Sequence, residues 1–328
     1  MRRLIPKLVV LLSLLLVLVA LAGCEKRGRS VRLGGGPSGG TFQVVAEGLA
    51  KILQPAHPGV RFVVERSAGS SANLRALEEG KLDLALVYAG DFYGEEPGGG
   101  LAVRANVQIL TRLYDAVAQL AVLSSSRITL PTQLRGARIA IGNPGSGAAL
   151  AAERYFRALG IWEQIVPVYL GYDMAIAELL RGNLVAVWEL VGVPSASFAA
   201  ATRQVPLRLL NLQEAAHGGH FFDLYPFYRP VDIPAGTYPG QERAMTSFAD
   251  TALLAASREL SRDMSWRILE GMFNEDGLGA LRGLHPSLAA FSAEAALEGV
   301  ELPLHPGAVH YWQQQGRDLP ASLLPAVP

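Results

Sequence analysis

A glycine-rich turn between a short apolar strand and a helical pattern occurs twice in this chain, and that doubling constrains the fold more than any other feature. The first copy is Leu33-Gly34-Gly35-Gly36-Pro37-Ser38-Gly39-Gly40-Thr41 and the second Ile141-Gly142-Asn143-Pro144-Gly145-Ser146-Gly147. Residues without Cβ let backbone N–H groups come close to a ligand, and the first turn of the following helix leaves its N–H groups unpaired with a partial positive charge. Each loop therefore reads as an anion cradle. Taken alone, the first is ambiguous. Gly34-x-Gly36-x-x-Gly39 fits a dinucleotide fingerprint, Gly36-x-Ser38-x-Gly40 fits a hydrolase nucleophile elbow, and both fit a plain tight turn. Two copies predict two lobes facing one ligand.

The flanking segments repeat in the same order. Val31 to Leu33, Val60 to Glu65 and Leu82 to Tyr88 read as strands, with helices over Phe42 to Leu53 and Ala72 to Glu79. Their counterparts are Arg138 to Ile141, Val166 to Leu170 and Leu184 to Trp188, with helices over Ala148 to Leu159 and Met174 to Leu180. Gly80, Gly160 and Gly182 stand where helices end, and the near-continuous apolar run to Tyr88 marks a strand buried on both faces of a parallel sheet. This order predicts two open α/β sheets with ligand at the strand carboxyl ends. Pro167 either assigns its strand to an edge or confines regular pairing to its later residues, and Asp83 belongs at a strand's edge or start. Further on, a helical stretch to Thr202 and a strand over Val205 to Leu210 are expected. Gly94 to Gly100 reads as a mobile surface loop, Ala252 to Phe273 and Leu288 to Ala296 as helices, and the chain from Leu319 as disordered. His217 and His220 are separated by glycines with no third ligand placed, so neither metal nor another cofactor is expected.

Ahead of this, Met1-Arg2-Arg3 and Lys7 precede an almost wholly apolar run, Leu8 to Ala22, that ends in Leu21-Ala22-Gly23-Cys24. The run is shorter than the ~20 residues of a spanning helix and stops at small residues, so 1–23 reads as a cleaved export signal. Cys24 is the chain's one cysteine, and 24–30 reads as a tether. Removing the signal takes Arg2, Arg3 and Lys7 from 29 basic and 29 acidic residues, leaving a mildly acidic protein with no field for nucleic acid. Half the 328 residues are apolar, enough for two domains of ordinary size.

Gly39-Gly40-Thr41-Phe42, Ser67-Ala68-Gly69-Ser70-Ser71-Ala72-Asn73-Leu74, Gly80-Lys81-Leu82-Asp83-Leu84-Ala85, Leu113-Tyr114, Leu134 to Ile139, Pro144 to Gly147 and Ile233 to Gln241 follow one another along the chain. Taken in that order, they resemble the TAXI-type solute receptors of tripartite ATP-independent periplasmic (TRAP) transporters. The chain departs where Tyr88-Ala89-Gly90 stands for Gln-Ser-Asp, with Asp91 one step later, and at Ala116, Ala148 and Val185. Leu21 to Cys24 resembles the lipobox of bacterial lipoproteins, whose cysteine carries the lipid.

The resemblance implies a two-lobed, type II-like periplasmic-binding-protein α/β fold with a ligand cleft between the lobes. Lobe 1 is expected over 31–118 and 240–328, lobe 2 over 119–239. The implied function is extracytoplasmic capture of a small carboxylate-bearing solute, a dicarboxylate or an amino acid, for delivery to TRAP membrane permease subunits, by a monomer anchored through lipid. Ser38, Thr41, Ser70, Asn73 and Ser146 offer neutral donors and acceptors, and the N–H groups of Gly39, Gly40, Gly145 and Gly147 can hold oxygens. Tyr88, Tyr114 and Trp188, near strand ends, either meet the ligand or pack in the core. An ABC-type substrate-binding lipoprotein shares this fold class. The enzyme alternatives are weaker. An esterase would use Ser38, which has no placed His and Asp partners. A dinucleotide oxidoreductase would use Gly34, Gly36, Gly39 and Glu65, but export removes it from the cytosolic cofactor pool and the second loop has no part in it.

Mass spectrometry of the membrane-associated protein is expected to show a diacylated Cys24 as its first residue. An intact Met1, or a soluble form beginning elsewhere, would refute this.

Overall fold

A computed structural model of the chain describes residues 29–95, 101–103 and 107–325. The signal, Cys24 and most of the tether lie outside the described residues. The first half runs β1 (Arg29–Gly34), α1 (Thr41–Leu53), β2 (Val60–Glu65), α2 (Ser70–Glu78) and β3 (Leu84–Tyr88). Next come the short strands β4 (Tyr93–Glu95) and β5 (Leu101–Val103) and the long β6 (Val107–Leu123). The second half repeats the pattern with β7 (Arg138–Gly142), α3 (Gly147–Ala158), β8 (Val166–Tyr169), α4 (Tyr172–Leu180) and β9 (Ala186–Val191). Gly80, Gly160 and Gly182 follow α2, α3 and α4 with φ of +66°, +65° and +78°, a left-handed turn that closes a helix without Cβ strain.

After β9 come α5 (Ala196–Ala201), β10 (Leu207–Leu209), α6 (Gln213–Gly218), α7 (Phe221–Leu224), β11 (Arg229–Ile233) and β12 (Met245–Ser257). Helices α8 (Arg262–Phe273), α9 (Glu275–Arg282) and α10 (Pro306–Gln314) follow. The two halves do not form separate sheets, as expected above, but one. Its order is β2-β1-β3-β12-β6-β9-β7-β8, with β10 on β6 and β11 on β12. β1 pairs in parallel with β2 and β3, and β7 with β8 and β9. Between these parallel triplets the long strands β12 and β6 run antiparallel to each other, with register shifts at Ala252/Leu253 and Leu254/Ala255. A sheet continues wherever a strand edge offers unpaired N–H and C=O groups to another, and β6 and β12 are long enough to cross from one lobe into the other.

Other expectations need correction. Residues 252–257 belong to β12, not to a helix; the run Ala252-Leu-Leu-Ala-Ala is buried on both faces between β3 and β6, so it shows no period to separate strand from helix. The helix starts at Arg262, where Ser261 accepts the Met264 N–H. Leu288 to Ala296 holds two 3₁₀ turns, Pro286–Leu288 and Ala295–Leu297. Tyr93–Glu95 pairs with Leu101–Val103 around the expected Gly94 to Gly100 loop, of which residues 96–100 lie outside the described residues. The carboxyl end packs rather than trailing free, because Leu323 is buried and its carbonyl takes the Leu304 N–H. Asp83, just before β3, accepts from the Arg32 N–H and Nε, and Pro167 lies on the edge strand β8.

Trp188, a candidate for the cleft, is core. It is fully buried in β9 with ring centroids 5.5, 5.9 and 5.9 Å from Tyr155, Phe156 and Phe248, and its indole N–H donates to Ala148 O at 3.0 Å. Denaturant unfolding of Trp188→Ala is expected to show a loss of about 3–5 kcal/mol. A loss under about 1 kcal/mol would mean that the ring is not part of the packed core.

Candidate functional site

Both glycine loops sit at the carboxyl ends of parallel strands, at the junction of the lobes. Four helix amino termini converge there. Gly40, Gly69 and Gly171 are the N-cap residues of α1, α2 and α4, so those helices have no side-chain cap; Ser146 caps α3 by accepting the Ala149 N–H at 3.1 Å. The cavity between them is lined by Gly40, Thr41 and Phe42, by Gly69 and Ser70, by Ser146 to Ala148, and by Gly171 and Tyr172, with Tyr88, Asn143 and Val191 among the walls. Its volume is about 20 Å³, room for a single water. Among the described residues no charged side chain lines it. Each helix amino end brings roughly half a positive charge to it from aligned peptide dipoles.

The lobes meet closely across this cavity. Thr41 Oγ1 accepts the Gly192 N–H at 3.1 Å, and Leu190 O accepts the hydroxyls of Tyr88 at 2.6 Å and Tyr172 at 3.2 Å. A Cβ on Gly147 would come within 2.5 Å of Asp91 Oδ2, 2.6 Å of the Tyr88 ring and 2.9 Å of Ser70 Cβ. Only glycine allows this approach. Burial pushes the phenols of Tyr88, Tyr114 and Tyr172 well above the ordinary tyrosine value, so all three are neutral, and Tyr88 and Tyr172 donate to Leu190 O.

The candidate residues therefore separate. Gly40, Thr41, Ser70, Tyr88, Ser146 and Gly147 line the cavity. Ser38 is exposed and outside it; Gly39 lies opposite Asp173 and the exposed Gly145 opposite Arg75. Asn73 is buried beneath, donating to Gly35 O and Leu86 O, both at 2.7 Å, and so ties β1 and β3 to α2. Tyr114, on β6, is buried with its ring edge-on to Phe42. Ser70 accepts the Tyr88 N–H at 2.8 Å, so its hydroxyl also braces the strand end. Sequence reasoning missed Gly69, Asn143, Gly171, Tyr172 and Val191. The internal repeat carried a signal for two of them, because Gly171-Tyr172 stands in the second half where Gly69-Ser70 stands in the first. His217 packs on Phe222 and His220 meets Asp223.

The fold is the two-lobed α/β fold of periplasmic binding proteins. The model of the NMT1-like family matches residues 33–316, and the chain belongs to that family. Among solved structures it is similar to the periplasmic binding protein BugD, with a TM-score of 0.54 and 14% identity over 87% of this chain and 94% of that one. A putative L-cystine ABC transporter protein from Listeria monocytogenes gives 0.51 and 17%, over 81% and 99%. A protein from Bordetella bronchiseptica RB50 gives 0.50 and 13%, over 91% of each. At such identities the likeness is one of fold.

Two buried carboxylates stand behind the cleft. Glu189 on β9 accepts from the hydroxyls of Ser195 at 2.5 Å and Ser197, and burial pushes it up to about 7 against those hydrogen bonds. Asp250 on β12 accepts the Gly90 N–H, and burial followed by the nearby Asp91 pushes it up to about 8. Each acid binds a proton in the folded state over a pH range where the unfolded chain has released it, so stability falls as pH rises from about 4.5 toward 7 for Glu189 and from about 4 toward 8 for Asp250. The slope per group is at most about 1.4 kcal/mol per pH unit. The unfolding midpoint is expected to drop between pH 5 and 8, and Glu189→Gln or Asp250→Asn should each flatten that drop. Parallel pH profiles for wild type and both variants would exclude these groups as its source.

Proposed function

We propose that this chain is an extracytoplasmic solute receptor, held to the membrane through a lipid on Cys24, which captures a small carboxylate-bearing solute for a TRAP permease of the TAXI type. The reading rests on one observation: four helix amino termini converge on one cavity that, among the described residues, has no charged side chain in its lining. Such a site suits an anion that must be released again, because peptide dipoles and neutral hydroxyls attract oxygens without the fixed countercharge of an arginine. The motif set from Gly39 to Gln241 supports the TAXI assignment. The site is one of recognition, not catalysis, and calls for no cofactor.

In this reading lobe 1 comprises 31–118 and 240–328 and lobe 2 comprises 119–239, with β6 and β12 as the strands that bend between them. The lobes separate to admit the solute, since about 20 Å³ does not hold a dicarboxylate. On closing, Thr41, Ser70 and the α1 and α2 termini approach it from one side, Ser146, Gly147, Tyr172 and the α3 and α4 termini from the other, and Tyr88 caps it. Ser38, Gly39 and Gly145 form the rim, while Asn73, Tyr114 and Trp188 support the wall. An ABC-type receptor is the second reading, favoured by the likeness to the Listeria protein named as part of an L-cystine ABC transporter. Reconstitution with the two kinds of permease separates them.

Calorimetric titration of the chain against dicarboxylates and amino acids is expected to give saturable binding for at least one, and Gly147→Val should abolish it by filling the space that α3 needs. Each charge-assisted hydrogen bond contributes about 1.5–3 kcal/mol, so Thr41→Ala should weaken binding by roughly tenfold or more. Absence of binding across both solute classes would overturn the carboxylate assignment.

A further inference from the structure

About two turns along α3 from Gly147, roughly 10 Å at 1.5 Å per residue, the guanidinium of Arg154 leaves its own lobe. Arg154 is 3% exposed. Its Nη1 donates to Gly90 O at 3.1 Å and meets the Tyr228 hydroxyl at 3.3 Å, and its Nη2 donates to Tyr93 O at 2.9 Å. The head lies 5.0 Å from the Phe227 ring centroid and 5.4 Å from that of Tyr225. Aromatic rings of lobe 2 thus aim a lobe 2 cation at backbone carbonyls of lobe 1. The receiving peptide is held from its other side too, because the Gly90 N–H goes to Asp250 at 3.1 Å on the crossing strand β12. A Cβ on Gly90 would lie 2.6 Å from both Asp250 Oδ2 and the Phe227 ring, so this meeting of turn, crossing strand and lobe 2 is built around a bare backbone. Asp91, the next residue, accepts from Ser71 Oγ at 2.7 Å on α2 and approaches Gly147 at the mouth of the cavity.

We propose that Arg154 is a positioning residue for solute capture, a latch from lobe 2 into lobe 1 that sets how far the lobes stay together and so fixes the amino end of α3 in the cleft. The proposal rests on the cleft being the solute site. When the lobes part, the guanidinium exchanges two protein carbonyls and an aromatic cradle for water, so its contacts favour the closed arrangement selectively. Because solute enters only when the lobes are apart, apparent affinity scales with the populations that Arg154 controls. The latch therefore slows both capture and release.

The test uses the full chain carrying Cys24→Ser, with spin labels at Val44→Cys on α1 and Met174→Cys on α4. These exposed positions lie near the amino ends of the two helices that face each other across the cleft. Electron double resonance without added solute reads the distance between them. The labelled chain with Arg154 in place is expected to give mainly one short distance. Arg154→Met should raise the open-to-closed ratio about tenfold or more, and Arg154→Lys, which keeps the charge but reaches fewer acceptors, should rescue it in part. A distance distribution for Arg154→Met that superimposes on that of the Arg154 chain, with a cooperative unfolding transition retained, overturns the latch. Should that variant fail to fold, Tyr228→Phe carries the test, since it removes one hydroxyl contact and keeps the ring stacked on Phe221 at 4.9 Å. It should shift the distribution the same way by a smaller amount, and no shift overturns the proposal. Labels that part in a chain binding no carboxylate would refute the cleft assignment while leaving the latch standing.

Discussion

Strands β6 and β12 pair from Ala249 opposite Val117 to Ser257 opposite Val107, and both continue beyond that ladder into other partners. β6 goes on to pair with β9 and β10, while β12 takes β11 at one end and β3 at the other. Backbone pairing along these strands ties them to the parallel strands on both sides, and the two halves of the sheet are joined through a hydrogen-bonded ribbon. The two register shifts lie in the β6–β12 ladder, opposite the stretch from Ile109 to Tyr114. An irregularity of this kind kinks a strand and increases its local twist, so the ribbon bends along this stretch.

From that ribbon the rest follows. It presents the carboxyl ends of two parallel strand triplets to each other, and each triplet brings two helices whose amino ends face inward. Glycine at three of the four N-caps keeps the first-turn N–H groups free of side-chain partners. Gly147 then lets α3 approach lobe 1 at a distance that no side chain allows. The result is a set of inward-facing backbone N–H groups at helix ends, with serine and threonine hydroxyls and buried neutral phenols around them.

Apart from Asp91, whose carboxylate approaches the cavity wall at Gly147, charged groups are set back from this cavity. Asp91, Asp250, Arg154 and Glu189 are all buried, yet they occupy the contacts between lobes or the support behind the wall. Burying a carboxylate is unfavourable unless it is hydrogen-bonded or protonated. The raised values of Asp250 and Glu189 express that balance, and Asp250 places one of the two proton sites on β12, a strand that joins the lobes.

The sequence alone determined the doubled strand-loop-helix order, the glycine helix ends at Gly80, Gly160 and Gly182, and the pairing of the two glycine loops, because turn chemistry and apolar periodicity are local. It also carried the motif for the cleft residues Gly40, Thr41, Ser70, Ser146 and Gly147. It could not separate Trp188, a core ring, from Tyr88, a wall residue, because both end apolar strands and only the neighbours across the sheet distinguish them. Ala252 to Ser257 was illegible as a strand, since a run buried on both faces carries no period. Nor could spacing reveal that Asn73 binds two backbone carbonyls, or that Arg154 reaches Gly90 across 64 residues of chain. Those assignments depend on which surfaces meet when the two halves are joined through β6 and β12, and that meeting is a property of tertiary structure, fixed by long-range pairing rather than by any local stretch.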